Sequence, residues 1–256
     1  MTMGMAAPLC ACLQQRAVFA FLGEVSLGSS QMTVQRRRRI IKRQRSSVGL
    51  ALAAGISFLA GMTDAIGLMS LGDFVSFMSG NTTRASVALA QGDVARGVLL
   101  IGGLITFVIG NAAGVMVSIK FRPQAVLLFV SVLLVCAALL DDLRELRFLL
   151  LILAMGAINA SVEQIEGLPV GLTYVTGALS RFGRGLGRWA MGIRNTHWVI
   201  QIVPWLGMMA GAILGAALVE EMGNLVLWLP AAVALSLTAV SIQIPRRWQS
   251  RFIQHR

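Results

Sequence analysis

The chain has 256 residues, of which 56% are apolar and 13% charged, with a formal net charge of +11. That balance excludes an ordinary water-soluble domain, since several runs reach the roughly 18 to 25 apolar residues that cross a hydrocarbon layer. The excess of positive charge does not point to nucleic acid: the run "RRRRIIKRQR" has no interleaved aromatic residues and directly precedes the first apolar span, where Lys and Arg set orientation and meet anionic headgroups.

In chain order, residues 1–35 read as a poorly ordered extension. No positively charged region precedes its apolar patches and no cleavage site comes after them, so it is not a signal peptide, and Met32 is an alternative start. Cys10 and Cys12 form a lone pair without a matching second pair, which argues against a metal site. Residues 36–47 form a basic cytoplasmic segment. Apolar spans are then expected at 48–71, 98–119, 123–140, 147–168, 197–219 and 223–244, with a basic cytoplasmic tail at 245–256. Two further segments, 74–91 and 171–190, are apolar but interrupted by glycine, polar residues and arginine, and read as broken or re-entrant. Cys136, inside the third span, reads as a buried small hydrophobe.

Six spans with the amino end inside leave only Arg84, Arg96, Arg144 and Arg147 of the 22 basic residues outside, as the positive-inside rule requires. The chain also repeats itself: "GMTDA" returns as "GAINA", "FMSGNTTR" as "YVTGALSR" and "GNAAG" as "GMMAG", at offsets of 95, 97 and 97. Residues 48–140 and 147–244 are therefore two repeats of three spans each. An odd number of spans turns the second copy over, giving an all-α membrane fold of two inverted repeats in which Asp64 and Asn159 correspond.

Asp64 is the one acid well inside a clearly apolar span, and intramembrane acids usually face a cavity, a partner or an ion pathway. Around it, Ser79, Gly80, Asn81, Thr82 and Thr83 from one broken segment and Thr173, Tyr174 and Thr176 from the other, together with Asn159, form the candidate solute or ion pathway. A helix that begins inside the bilayer offers free N–H groups to an anionic group. The plainer alternatives are that Asp64 satisfies the backbone donors of the broken segment or bonds Asn159, and that Ser79 and Asn81 cap a helix. Gly110, Gly114, Gly207, Gly211 and Gly215 form small-residue faces for helix packing, and Pro204 is a candidate kink in the fifth span. "GLGRWA" lacks the strand a dinucleotide site needs, and His197 reads as interfacial. Glu163 and Glu166 share a helical face near the end of the fourth span.

The stretch "GMTDAIGLMSLGDFVSFMSGNTTRASVALAQGD" resembles the YoaK-type family of bacterial membrane proteins. The resemblance implies about six spans and small-molecule transport, with Asp64, Gly80 and Asn81 at the family's motif positions; it is densest over residues 61–93 and extends in layout to about 244. The expectation is a secondary transporter of an unidentified small polar solute in the bacterial inner membrane, both ends cytoplasmic, proton-coupled through Asp64. The partners expected are the lipid bilayer and that solute, with self-association left open; no nucleic acid, cofactor or metal is called for, and no enzyme activity. The alternative is a membrane scaffold or assembly protein without transport. An intramembrane enzyme is disfavoured by the lack of a nucleophile and base pair.

Overall fold

The computed structural model describes residues 47–121, 123–140, 142–162, 175–194 and 196–243, which are helices and their connections, with no strand among them. The chain divides into units Met1–Val48 and Gly49–Arg256, and nearly all the described residues belong to the second. The helices are α1 (Ser47–Leu71), α2 (Met78–Ala90), α3 (Val94–Lys120), α4 (Pro123–Leu139), α5 (Arg144–Val162), α6 (Val175–Ala190), α7 (Ile202–Met222) and α8 (Trp228–Gln243). Single 3-10 turns, His197–Gln201 and Gly223–Leu227, lead into α7 and α8. By length and composition α1, α3 and the run Trp198–Gln243 are apolar enough to cross a membrane. At 13 residues, α2 extends only about 20 Å and falls short of the hydrocarbon thickness.

Glycine sets where the short helices stop. After α2, Gly92 has φ +83; its N–H donates to Leu89 O at 3.1 Å, and the next N–H, of Asp93, donates to Ala88 O at 2.9 Å. This is a Schellman end, which needs the left-handed backbone that glycine adopts without penalty. Asp93 at once caps α3, accepting Arg96 N–H at 3.1 Å, so α2 and α3 meet at a sharp corner. The end of α6 repeats the device: Gly192 has φ +89, with Gly192 N–H to Trp189 O at 3.1 Å and Ile193 N–H to Arg188 O at 3.0 Å.

Two seams hold the long helices together at backbone distance. On α7, a Cβ added to Gly207 would come within 2.6 Å of Ala54 O, one on Gly215 within 2.8 Å of Met62 O, and one on Gly211 would collide with Phe58 O. Rising numbers on α7 meet rising numbers on α1, so these helices run parallel. In the second seam Gly110 of α3 abuts Leu153 O of α5, and Gly156 of α5 abuts Phe107 O of α3; Gly103, nearer the start of α3, meets Ile152 and Phe148. This pair is parallel too. In lipid, where no hydrophobic effect drives helices together, such close approach supplies the dispersion contacts that side chains would prevent. α4 and α8 run antiparallel: Gln124 Nε2 donates to Ser241 O at 3.3 Å, while Ser131 and Thr238 hydroxyls lie 3.3 Å apart. Ile56, Leu59 and Met62 of α1, Val126 and Leu134 of α4, and Leu151, Ile152 and Met155 of α5 fill the core between the seams. The opposite faces, Val108, Ile119 and Ile213 among them, stay apolar and exposed, as lipid-facing surfaces do.

The helices fall where the apolar runs lie, with differences at their ends. α3 begins before residue 98, because Asp93 caps it, and α5 starts at Arg144. Pro204 lies in the first turn of α7, where proline is tolerated, just after the 3-10 turn His197–Gln201. Cys136 is exposed on α4 rather than buried. Gly110 abuts Leu153 O and Gly211 abuts Phe58 O, and Gly110, Gly114, Gly211 and Gly215 are buried. Thr173, Tyr174, Glu163 and Glu166 lie outside the described residues.

Candidate functional site

α1 ends at Leu71 because Gly72, at φ +86, turns the chain, its N–H still bonding Leu68 O at 3.1 Å. Residues 72–77 are not helical and fold back along α1: Val75 packs on Gly67, where a Cβ would sit 2.8 Å from Val75 Cγ1. That return brings the segment to Asp64, two turns before the end of α1. Asp64 Oδ1 accepts Val75 N–H at 2.8 Å and Ser76 N–H at 2.7 Å, and Oδ2 accepts the Ser76 hydroxyl. Asp64 is 5% exposed, so these three donors replace the hydration of a buried carboxylate. Of the roles open to Asp64, satisfying the backbone of the broken segment is the one seen. It does not bond Asn159.

α2 starts from this anchored segment. Its N-cap position is Phe77, with no side-chain cap, so neither Ser79 nor Asn81 caps the helix. Asn81 is fully buried; its Nδ2 donates to Phe74 O at 2.6 Å, and its Oδ1 is buried without a hydrogen-bond partner among the described residues. Phe74 and Phe77 meet edge to face at 5.3 Å, and the Phe77 ring lies against Gly80 so closely that a Cβ there would strike it. Ser79, Thr82 and Thr83 are exposed, and the two threonines turn their hydroxyls back to Met78 O at 2.9 Å and Ser79 O at 3.2 Å. Of these residues, only Gly80 and Asn81 face the broken segment.

Arginines converge on the turn. Arg84 Nη1 donates to Gly72 O at 2.6 Å and Arg144 Nη2 to Leu71 O at 2.8 Å, meeting the carbonyls left open at the end of α1. Asp73 Oδ1 accepts Arg84 at 3.0 Å and Arg96 at 3.1 Å, and the Arg84 guanidinium lies 5.5 Å from the Phe74 ring centre. Three of the four basic residues expected outside thus hold one loop.

Asn159 is bonded elsewhere. Asn159 Nδ2 donates to Asn111 Oδ1 at 3.1 Å, Asn111 Nδ2 donates to Phe107 O at 2.9 Å, and Asn159 Oδ1 is buried with no partner among the described residues. This amide pair bridges α5 and α3 beside the Gly110–Gly156 contact. Thr176 is exposed on α6, which packs against the entry to α7 through Phe182 and Trp198, edge to face at 5.0 Å. It is not part of the Asp64 cluster.

Ser76, Asp73 and Asn111 join the site without having been expected there. Asn111 carries a signal in the sequence, an amide inside the glycine pair of an apolar span, which a reading of that pair as packing alone passes over. The cluster offers buried acceptors and a carboxylate saturated by donors; it can hold and orient polar groups.

A family model described as "Protein of unknown function (DUF1275)" matches residues 52–240. A UPF0700 transmembrane protein of Rhizobium meliloti (strain 1021) is 80% identical over 225 residues, covering 88% of this chain and 100% of that protein. No solved structure matches. The match spans the anchored turn and both glycine seams, and agrees with the resemblance carried by residues 61–93: the chain belongs to the DUF1275 family of transmembrane proteins.

Proposed function

We propose that the protein is a secondary transporter of a small polar solute in the bacterial cytoplasmic membrane, with α1, α3, α4, α5, α7 and α8 crossing and α2 and α6 not. The observation that carries this reading is the direction of the packed helices. α4 and α8 are antiparallel, so an odd number of reversals separates them; α5, α7 and α8 supply three, which leaves none for α6. α1 and α7 are parallel, and α3, α4, α5 and α7 supply the even number required, which leaves none for α2. The seams support an inverted repeat: α1 on α7 and α5 on α3 are equivalent contacts, as in transporters whose halves rock about a shared site. Both ends are cytoplasmic by the distribution of Lys and Arg.

In this reading the buried oxygens of Asn81 and Asn159 accept donors of the solute, and Asp64 couples binding to movement. A proton on the carboxylate weakens its hold on Val75 and Ser76, and so releases the segment that fixes the start of α2. No nucleophile and base pair accompanies it among the described residues, so we assign no catalytic step. One observation favours a second reading, a scaffold without flux: every donor found at Asp64 among the described residues comes from the chain's own residues 75–77.

Site accessibility tests the choice. With Cys10, Cys12 and Cys136 replaced by alanine, single cysteines at Ser79, Gly80 and Asn81 are probed with impermeant thiol reagents from each side. A transporter labels from both sides, in proportions that shift with solute or pH. Labelling from one side only, under every condition, rejects transport and leaves the scaffold.

A further inference from the structure

The surface of α6 is divided by chemistry. Arg181, Arg184 and Arg188 recur at the spacing of one helical face, while Val175, Ala178, Leu179, Phe182, Leu186 and Trp189 occupy the opposite one. Ala178 and Gly185 are buried, Gly185 against the Trp198 ring, and Arg181 Nε donates to Gln201 Oε1 at 2.9 Å, so one flank seats the helix on the entry to α7. The rest is open. Arg184, Arg188 and Arg194 are exposed, and among the described residues none of them meets a carboxylate. Leu179, Leu186 and Trp189 are exposed beside them, at 38, 46 and 41%. Arg194 lies 5.2 Å over the Trp189 ring, placing a cation on an aromatic ring at the boundary between the two faces.

We propose that α6 lies in the plane of the membrane interface and docks anionic phospholipid, with Arg184, Arg188 and Arg194 on the headgroup phosphates and Leu179, Leu186 and Trp189 in the acyl boundary. An apolar flank, an arginine face without acids and an aromatic residue between them are the features that hold a helix at an anionic interface rather than across it. The proposal rests on the part of the function reading in which α6 does not cross; it is independent of transport.

Purified full-length protein in neutral detergent is titrated with phosphatidylglycerol, phosphatidylcholine or inorganic phosphate, and retained lipid and melting midpoint are recorded. Phosphatidylglycerol is expected to bind and raise the midpoint, with affinity falling roughly fivefold for each arginine changed among Arg184→Gln, Arg188→Gln and Arg194→Gln. The corresponding Arg→Lys triple variant keeps most of the effect. An equal response to phosphatidylcholine, a response matched by inorganic phosphate, or an unchanged response in the Gln triple variant overturns the proposal. If the triple variant does not fold, the Arg184→Gln and Arg188→Gln single variants decide by the same readings. In the cysteine-free chain, Thr176→Cys and Met191→Cys, exposed at the two ends of α6 and about 22 Å apart along a helix, are expected to label from one side only. Labelling from opposite sides means that α6 crosses, which rejects both this proposal and the six-span reading; loss of lipid selectivity with one-sided labelling rejects this proposal alone.

Discussion

Asp64 and Ser76 are joined by both carboxylate oxygens: Oδ1 accepts the Ser76 N–H at 2.7 Å and Oδ2 the Ser76 hydroxyl. A non-helical segment is thereby fixed against the side of a membrane helix. The first prediction separates its charge from its shape. Asp64→Asn retains an oxygen for the two backbone donors and an amide N–H that the Ser76 hydroxyl can accept, so the folded protein persists with a modest loss of melting temperature. Asp64→Ala leaves two buried N–H groups unpaired, at about 1–3 kcal/mol each, and is expected to melt far lower in detergent or fail to accumulate. Equal melting of the two variants would show that the bonds to residues 75–76 contribute little.

Glycine substitutions should divide by location. Gly211→Ala drives a methyl into Phe58 O of α1, where backbone cannot move aside; a loss of about 1–3 kcal/mol or more is expected. Gly187→Ala meets nothing within 4 Å and replaces glycine inside a helix, so it should be neutral or stabilising by about 0.4–1 kcal/mol. Melting midpoints in one detergent, measured side by side, check the ordering.

The Ser131–Thr238 contact is a side-chain bridge between α4 and α8. A double-mutant cycle with Ser131→Ala and Thr238→Val should give a coupling of about 0.6 kcal/mol and under about 2, because each hydroxyl also bonds its own helix, to Leu127 O and Ala234 O at 2.8 Å. A coupling of zero would mean that these intrahelical bonds suffice.

At the turn, Asp73 holds two arginines whose side chains are 38 and 45% exposed. Asp73→Asn should cost no more than about 1 kcal/mol, and the difference from wild type should shrink in high salt. Arg84→Ala should cost more than Arg96→Ala, because only Arg84 also donates to Gly72 O. Thermal melting at two salt concentrations distinguishes the pair from the carbonyl bond.

The membrane class, most helix positions and the break after α1 are legible in the sequence, because each rests on local composition: apolar runs, a misplaced acid, a glycine-broken stretch. The partner of Asp64 is harder to read. Val75 looks like any strand or helix residue, and only the return of residues 72–77 along α1 turns its N–H toward the carboxylate. The partners of the seam glycines are hard to read for a related reason: what places Gly110 and Gly211 is the carbonyl facing each, Leu153 O and Phe58 O, and neither residue type announces it. Asn159 does not meet Asp64 because Asn111, on the adjacent α3, is closer to hand.

The spacing of these bonds bears on how the chain enters the membrane as it is made. Asp64 finds its donors 11 and 12 residues further on, so α1 and the segment after it form a self-sufficient hairpin before α3 has left the ribosome. Its carboxylate need not wait in lipid for a distant helix. The Asn111–Asn159 bond, 48 residues apart, closes only after α4 and α5 have been inserted. An uncharged amide tolerates that delay better than a carboxylate would.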